Sequence, residues 1–362
     1  MKIVVDFRMH NFSGIGTYIK NIIPFLVDEF EILLLGNKKE IEKYGWAKNV
    51  KIIECGAKVY SIKEQLELFL KVPKCDIFWS PHYNIPVLPI RAKKRVVTIH
   101  DVFHLAFIDT LSLPKQIYAR FMIKAATKKS DRILSVSNFA SKEIEEYTKI
   151  CKQIYIVYNA IDINKFKVIK ERQNLNYIFK KYNLPQDFIL FVGNVKPNKN
   201  IKNLLLALKN IDENLVIVGK RDGFLTQDGG IDEILKDQNL VKKVYFTGFV
   251  DDEDIAFIYN LAKIFVFPSF YEGFGLPPLE AQACGCPVLC SNAASLPEVC
   301  VDSVVYFDPY NVDDIAKNIE NLMSDEKMQN ELRQKGFENI KRFSWQKSAE
   351  KIIKIFREAE AK

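Results

Sequence analysis

Two carboxylates stand eight residues apart in Ser269-Phe-Tyr-Glu-Gly-Phe-Gly-Leu-Pro-Pro-Leu-Glu280, on either side of a glycine-rich turn. Such a pair can work as acid and base, as acid and nucleophile, or as acceptors for ligand hydroxyls. The backbone N–H groups of Gly273, Phe274, Gly275 and Leu276 add donors for hydroxyls or an anion next to a helix start. The flanking sequence says what must hold these groups. Ala262-Lys-Ile-Phe-Val-Phe-Pro268 reads as a buried strand. Pro277 and Pro278 suit the first turn of a helix, where a missing N–H costs little, and Gly285 suits its C-terminal stop. Pro287-Val-Leu-Cys290 reads as the next strand. Glu272 is therefore expected on a loop at a strand's carboxyl end and Glu280 in the first turns of a helix, where open α/β sheets bind ligands.

Other chemistry-bearing residues recur at strand-to-helix turns. Gly193-Asn194-Val-Lys196-Pro-Asn-Lys199-Asn200 follows a strand and precedes a helix through Leu204 to Leu208. A lysine there, reinforced by N–H groups, suits a diphosphate; Lys199 leads and Lys196 is the reserve. Gly14 and Gly16 lie in Phe12-Ser-Gly-Ile-Gly-Thr-Tyr18, a turn through which backbone can approach a phosphate or which is simply tight. The full dinucleotide pattern is absent, since Lys20 stands near the place of its third glycine. His100-Asp101 ends the strand Val96–Ile99 and points to a ligand crevice. Asp251-Asp-Glu-Asp254 reads as an N-terminal helix cap before Ile255–Tyr259 in preference to a metal site. The seven cysteines, with Cys284, Cys286 and Cys290 clustered, lack the paired spacing of a metal site and read as buried thiols in a reducing compartment. No metal is expected.

The elements needed to position these groups form two series. A chain of 362 residues is long for one core. At 48% hydrophobic and 27% charged residues it has the composition of a soluble globular protein, and no apolar run approaches a bilayer span. Met1-Lys-Ile-Val-Val-Asp6 reads as a first strand, not a signal peptide, so a cytoplasmic location is expected. Strand-length runs at Glu31–Leu35, Asp76–Trp79, Arg95–Ile99, Arg132–Val136 and Ile154–Val157 alternate with helical patterns such as Gly16 to Val27 and Pro114 to Lys128. A second α/β series has strands at Phe188–Val192, Asn214–Val218, Lys243–Phe246, Ile264–Phe267 and Pro287–Cys290. Two Rossmann-like domains with mostly parallel sheets facing an interdomain cleft follow, with the junction in the polar segment after Phe166. Residues 1–170 carry 28 Lys and Arg against 17 Asp and Glu. The basic half, and the Arg120, Lys124 and Lys128 face, suggest a phosphorylated acceptor or an anionic membrane surface. No nucleic-acid motif accompanies the charge.

The order of these motifs resembles the retaining glycosyltransferases called glycosyl transferases group 1, or family 4, with the two-domain GT-B fold. The motifs are Gly-Ile-Gly-Thr-Tyr18, His100-Asp101, Ser135-Val-Ser-Asn138, Tyr158-Asn-Ala-Ile-Asp162, Gly193-x5-Lys199-Asn200, Thr247-Gly-Phe249 and Glu272-x7-Glu280. The resemblance spans the whole chain and is most specific between about residues 188 and 300. It implies an α/β chain divided into residues 1–166 plus a C-terminal helix at 345–362, the acceptor-binding domain, and residues 167–344, the donor-binding domain. Phe343-Ser-Trp-Gln346 followed by Ile352, Ile353 and Phe356 is similar to the helix that crosses back onto the first domain.

It also implies residue roles. Glu280 would hold the ribose diol and Glu272 the donor sugar's hydroxyls, with the N–H groups of Gly273, Phe274 and Gly275. Lys199 would neutralise the diphosphate, met by Gly16 from the other domain, and His100 would sit over the sugar. Phe249 and Val250 would take the base through backbone contacts. The resemblance implies no cofactor and no divalent metal. It favours transfer of a hexose, mannose first, from GDP-mannose or another donor such as UDP-glucose. The acceptor would be a glycan or lipid-linked species in surface polysaccharide synthesis. The departing phosphate would serve as base on the retained face, so neither glutamate is assigned as nucleophile. An epimerase or hydrolase on the same fold is the alternative. The sequence departs from the family pattern at Asn194, where Arg is common, which hands part of the diphosphate's charge to Lys196 or Arg221. It departs also at Tyr158 and Ala160, where Pro and Gly are common.

Overall fold

The computed structural model describes residues 1–170, 175–219 and 229–361. Arg221 lies outside the described residues. The chain divides into two compact units: Met1–Asn159 with the C-terminal segment from Ser344, and Ala160–Phe343. The division falls seven residues before the expected junction after Phe166, because residues 160–166 belong to the second unit's packing. Phe166 meets the ring of Tyr259 edge-on at 6.0 Å, and Lys165 pairs with Asp252 at 2.6 Å.

The first unit is a seven-stranded parallel sheet: β1 (Lys2–Asp6), β2 (Glu31–Gly36), β3 (Lys51–Glu54), β4 (Cys75–Ser80), β5 (Ala92–Ile99), β6 (Arg132–Ser135) and β7 (Ile154–Ile156). Its order is β3-β2-β1-β4-β5-β6-β7. Strands buried on both faces read as continuous apolar runs, which is why Val4, Val5, Leu34, Leu35 and Ile77 are all inaccessible. β3 escapes the sequence reading because it is a four-residue edge strand with charged ends, Lys51 and Glu54, that buries little. The helices Ser13–Leu26 and Trp345–Glu360 pack on each other over one face of this sheet.

The helix from Trp345 starts on Ser344, whose Oγ accepts the Lys347 N–H, and Ser348 donates to the Tyr158 carbonyl at 2.6 Å. Trp345 lies edge-on to Tyr18, and Phe356 fills a pocket between Trp79 (5.6 Å) and Phe30 (6.2 Å). Apolar positions at Ala349, Ile352, Ile355, Phe356 and Ala359 make the buried stripe.

The second unit is a six-stranded parallel sheet: β8 (Ile189–Val192), β9 (Leu215–Val218), β10 (Val244–Gly248), β11 (Ile264–Phe267), β12 (Val288–Ser291) and β13 (Val305–Phe307). Its order is β10-β9-β8-β11-β12-β13. β13, three residues at the edge, was too short for the periodicity to signal. The helix Leu276–Ala283 has its prolines in the first turn, and Gly285 follows with φ +73, the left-handed stop expected of it. Each unit is a Rossmann-like α/β layer built on a parallel sheet, as expected.

The acidic run Asp251–Asp254 corrects an expectation. Asp254 occupies the cap position of the helix Ile255–Leu261, but its side chain makes no cap bond. It accepts from Lys181 and from the Tyr182 hydroxyl at 2.7 Å, while Asp251 shares Lys181. The carboxylates tie the helix Leu175–Lys181 to this one instead of satisfying N–H groups. All seven cysteines are free thiols, six of them buried. Among the described residues no group of three or more His, Cys, Asp or Glu side chains is placed to hold a metal ion, and no helix is long and apolar enough to cross a membrane.

Truncating Phe356 to Ala should cost about 3–5 kcal/mol, the range for removing a large buried aromatic. Equilibrium urea unfolding checks this, and an unchanged midpoint would mean that the C-terminal helix is not part of the first unit's core.

Candidate functional site

In the second unit the strand order reverses between β8 and β11, and the loops after these two strands carry the leading candidates. Lys199 ends a 3₁₀ turn, Pro197–Lys199, and Asn200 follows with φ +56 before the helix Ile201–Leu208. Lys199 Nζ meets Glu272 Oε1 at 2.5 Å and lies 5.1 Å over the Phe267 ring. Both side chains are largely shielded, 16 and 13 per cent exposed. A lysine and a carboxylate 73 residues apart are thus delivered to one point by neighbouring strands.

The loops are stitched before any ligand arrives. Asn198 donates to the Tyr271 carbonyl at 3.1 Å, and its own carbonyl accepts the Phe270 N–H. Asn200 donates to the carbonyls of Pro268 (3.0 Å) and Pro309 (2.7 Å). Ser295 donates to the carbonyls of Glu272 and Phe274, both at 2.9 Å. Gly275 has φ +97, a backbone conformation that favours glycine, and a Cβ there would also have to displace the end of the Leu296 side chain, 2.7 Å away. Phe274 contributes only main chain to the loop; its ring is buried, edge-on to Phe343 at 5.4 Å. Asn198 and Ser295 were not singled out from sequence, and Asn200 was named only within the Gly193-x5-Lys199-Asn200 motif. A polar residue beside a strand-end motif was the available signal.

Glu280 has a different partner. The Tyr259 hydroxyl donates to it at 2.9 Å, from the helix that follows β10. Burial raises Glu280 to about 7, against the pull of Tyr259 and Lys165. Tyr259 is itself pushed well up by burial and by the Glu280 charge. Lys196 and Asn194 are exposed on the loop that begins at Gly193. Gly193 explains a neighbour: a Cβ on Gly219 would lie 2.4 Å from its carbonyl oxygen. Phe249 projects its ring to solvent just past β10, with the less exposed Val250 next to it. Leu276 opens the helix that carries Glu280. The structure thus joins Lys199 directly to Glu272 and joins Glu280 to Tyr259.

In the first unit the reversal lies between β1 and β4. A buried charge network that the sequence reading did not single out fills it. Arg8 donates in a fork to Asp6 (Nε at 2.7 Å, Nη2 at 2.5 Å) and reaches Glu64 at 2.7 Å. His82 lies 3.3 Å from Asp6. Asn84 donates to both Glu64 oxygens and accepts from the Tyr118 hydroxyl. Burial alone would raise Asp6, but the Arg8 guanidinium overrides it and holds the carboxyl well below the usual range. The network fixes the loop from Phe7 to Phe12 that leads into the helix Ser13–Leu26.

That helix changes the reading of its glycines. The Gly16 N–H is committed to the Phe12 carbonyl at 2.7 Å, and a Cβ there would lie 2.2 Å from the His10 oxygen. Gly16 is glycine because its own loop passes against it. The first turn, which includes Gly14, has no side-chain cap. His100 follows β5, and its Nε2–H donates to the Pro81 carbonyl at 2.9 Å, with the ring edge-on to Tyr18. Burial lowers it to about 4, so the neutral ring has Nδ1 as an acceptor at neutral pH.

Comparison with known proteins adds the following. Residues 12–165 match the family model described as Glycosyltransferase Family 4, and residues 176–339 match that of Glycosyl transferases group 1. A serotype-specific mannosyltransferase WbdA of Escherichia coli is 33% identical over 73% of this chain, which spans a third (33%) of that relative's length. The O-antigen chain mannosyltransferase B of Escherichia coli is 32% identical over 78% of this chain and 74% of its own. Among solved structures, Anabaena Alr3699/HepE in complex with UDP and glucose superposes with a TM-score of 0.81 at 16% identity, covering 99% of this chain and 100% of that one.

The two glycines of the first turn should respond differently to a methyl group. Gly16→Ala should lose about 1–3 kcal/mol through the clash with backbone. Gly14→Ala, with nothing within 4 Å of the new carbon, should be neutral or stabilising. Thermal melts of the two variants check this, and equal melting temperatures would contradict the close approach at His10.

Proposed function

Because this chain belongs to the glycosyl transferases group 1 family, we infer that it transfers a hexose from a nucleotide-diphosphate sugar to a glycan or lipid-linked acceptor. The observation that carries the reading is the Lys199–Glu272 pair at the reversal of the second sheet. A diphosphate needs a cation, and a sugar needs hydroxyl acceptors, so an incoming donor separates the pair and gives each half a new partner. Lys199 then stabilises the negative charge that grows on the leaving diphosphate. Glu272 orients the sugar as it gains oxocarbenium character. The ion pair holds both groups in place and shielded in the free protein, so little reorganisation is needed when donor arrives.

Glu280, paired with Tyr259, is assigned to the ribose diol, and Phe249 with Val250 to the base. In the first unit, His100 is assigned as a neutral acceptor for a substrate hydroxyl, a role that its low proton affinity suits and general-acid chemistry does not. Retention of configuration, with the departing phosphate as base, and independence of divalent metal complete the proposal. Mannose from GDP-mannose is the favoured donor, since the two Escherichia coli relatives described above are named mannosyltransferases. UDP-glucose is the second reading, because UDP and glucose occupy the solved relative. Thermal-shift titration with GDP-mannose, UDP-glucose and ADP- and dTDP-sugars separates them, and transfer in excess chelator tests the metal-independent step.

Glu272→Ala should reduce transfer by about a hundredfold or more, with some loss of melting temperature from leaving its partner unpaired but with the fold retained by circular dichroism. Lys199→Ala should do the same, with a larger loss of nucleotide-diphosphate affinity. A variant at either position that keeps most of its activity would remove the basis of the assignment.

Glu280 supplies a pH dependence. Its folded value, about 7, is above its ordinary 4.5. The stability tied to its proton is present below the ordinary value and is lost as pH rises through 7. Ribose hydroxyls donate to the ionised form, so binding releases a proton, and affinity should fall as pH drops below about 7, by up to tenfold per unit. Calorimetry in buffers of different ionisation enthalpy measures the release. In Glu280→Gln the release should vanish, and an unchanged proton count would reassign the diol.

A further inference from the structure

We propose that the first unit docks on an anionic bilayer through two neighbouring helices, Ile62–Lys71 and Leu113–Lys129. The surface lies within the first unit and includes none of the residues given a role in transfer above, and the proposal does not rest on the transferase reading. Six large apolar side chains, Ile62, Leu66, Leu70, Leu113, Ile117 and Phe121, are each more than half exposed. Their spacing is that of helix stripes: four and eight residues apart on each helix. Each helix also buries an opposite stripe. Leu68 packs with Val4, Leu33 and Phe78, while Ala119, Met122 and Ile123 pack with Val97, Ile99 and Ile133.

Strand register puts these two cores on one face of the sheet. Val4 pairs with Leu33 and Phe78, Phe78 with Arg95, and Val97 with Ile133. Paired residues share a face, and Arg95 and Val97 are two apart on one strand. The helices therefore cover the same side, linked through the Tyr60 and Tyr118 rings at 6.1 Å and by Asn84 bridging Glu64 to Tyr118. A helix that is apolar on its solvent side as well as its core side is covered by something else in use.

Charge selects what covers it. Leu113–Lys129 holds five Lys and Arg and no acid. Arg120, Lys124 and Lys128 continue the Leu113–Ile117 stripe, so apolar and basic groups face the same way. On the other helix both acids are engaged internally: Glu64 with Arg8, and Glu67 with Lys71 and the Ala57 N–H. A second copy placed symmetrically on this face would set cations against cations. An anionic lipid surface accepts both features: apolar side chains enter the acyl boundary while the cations meet phosphates.

The test is vesicle flotation of the full chain with phosphatidylcholine alone and with about one third phosphatidylglycerol. The chain should float with the anionic vesicles, weakly with the neutral ones, and be released by salt. Arg120→Glu/Lys124→Glu/Lys128→Glu and, separately, Ile117→Ser/Phe121→Ser should each weaken binding by about tenfold or more. Lys38→Glu/Lys39→Glu/Lys48→Glu, an equal charge change elsewhere in the unit, should not. Hydrogen exchange should slow in 62–71 and 113–129 on vesicles. Melting temperatures near that of the parent certify the variants. Equal loss in the control triple, undiminished flotation of both face variants, or a solution dimer that Ile117→Ser/Phe121→Ser dissociates without vesicle binding would each overturn the proposal.

Discussion

One hydrogen-bonded ion pair, Lys199 with Glu272, is the constraint around which the second unit is arranged. Neither group is stable alone in a shielded loop, since a partly desolvated charge without a partner is costly. The pair forms only if the loops after β8 and β11 meet, and they meet because their strands are neighbours at the point where the sheet reverses. Asn198, Asn200 and Ser295 then satisfy the loop carbonyls that would otherwise be orphaned. The glycine at 275 gives the turn a backbone conformation other residues resist. A polar site is therefore assembled from sheet topology and main-chain hydrogen bonding, with few side chains free to move.

The first unit meets the same topological problem with another solution. Its reversal point is filled by Asp6, Arg8 and Glu64, a net anionic trio whose fork geometry leaves little slack. The loop it anchors carries no charged group toward a ligand; it presents the uncapped start of a helix. One unit thus pairs its charges across two neighbouring loops, and the other uses its charges to hold main chain still.

The fold was legible wherever burial demanded it. Central strands such as Ile264–Phe267 match the apolar run residue for residue, because both faces are covered and every position must be apolar. The edge strands β3 and β13 left no such trace. Glu272, Glu280 and Lys199 stood out because carboxylates and a lysine beside glycines are unusual company. Asp6 and Arg8 did not, since one charge at a strand end looks like solvation until Glu64 arrives from 56 residues away. Gly16 drew notice for a ligand's sake, yet its requirement is internal, a carbonyl two ångströms from where a Cβ would go. The acidic run before Ile255 suggested a cap from spacing, and only the position of Lys181 and Tyr182 shows the tie.

The second unit is, in chain order, an insertion: Ala160–Phe343 interrupts a unit whose last helix begins at Trp345. During synthesis, Tyr18, Trp79 and Phe30 are made early and wait uncovered until that helix leaves the ribosome. The inserted unit, contiguous in sequence, has all its partners first. The first unit thus folds under the largest loop-closure distance in the chain, although its strands are translated earliest. The order of translation and the order of completion run in opposite directions, and the interval between them is when an unfinished apolar sheet face is open to chaperones or to aggregation.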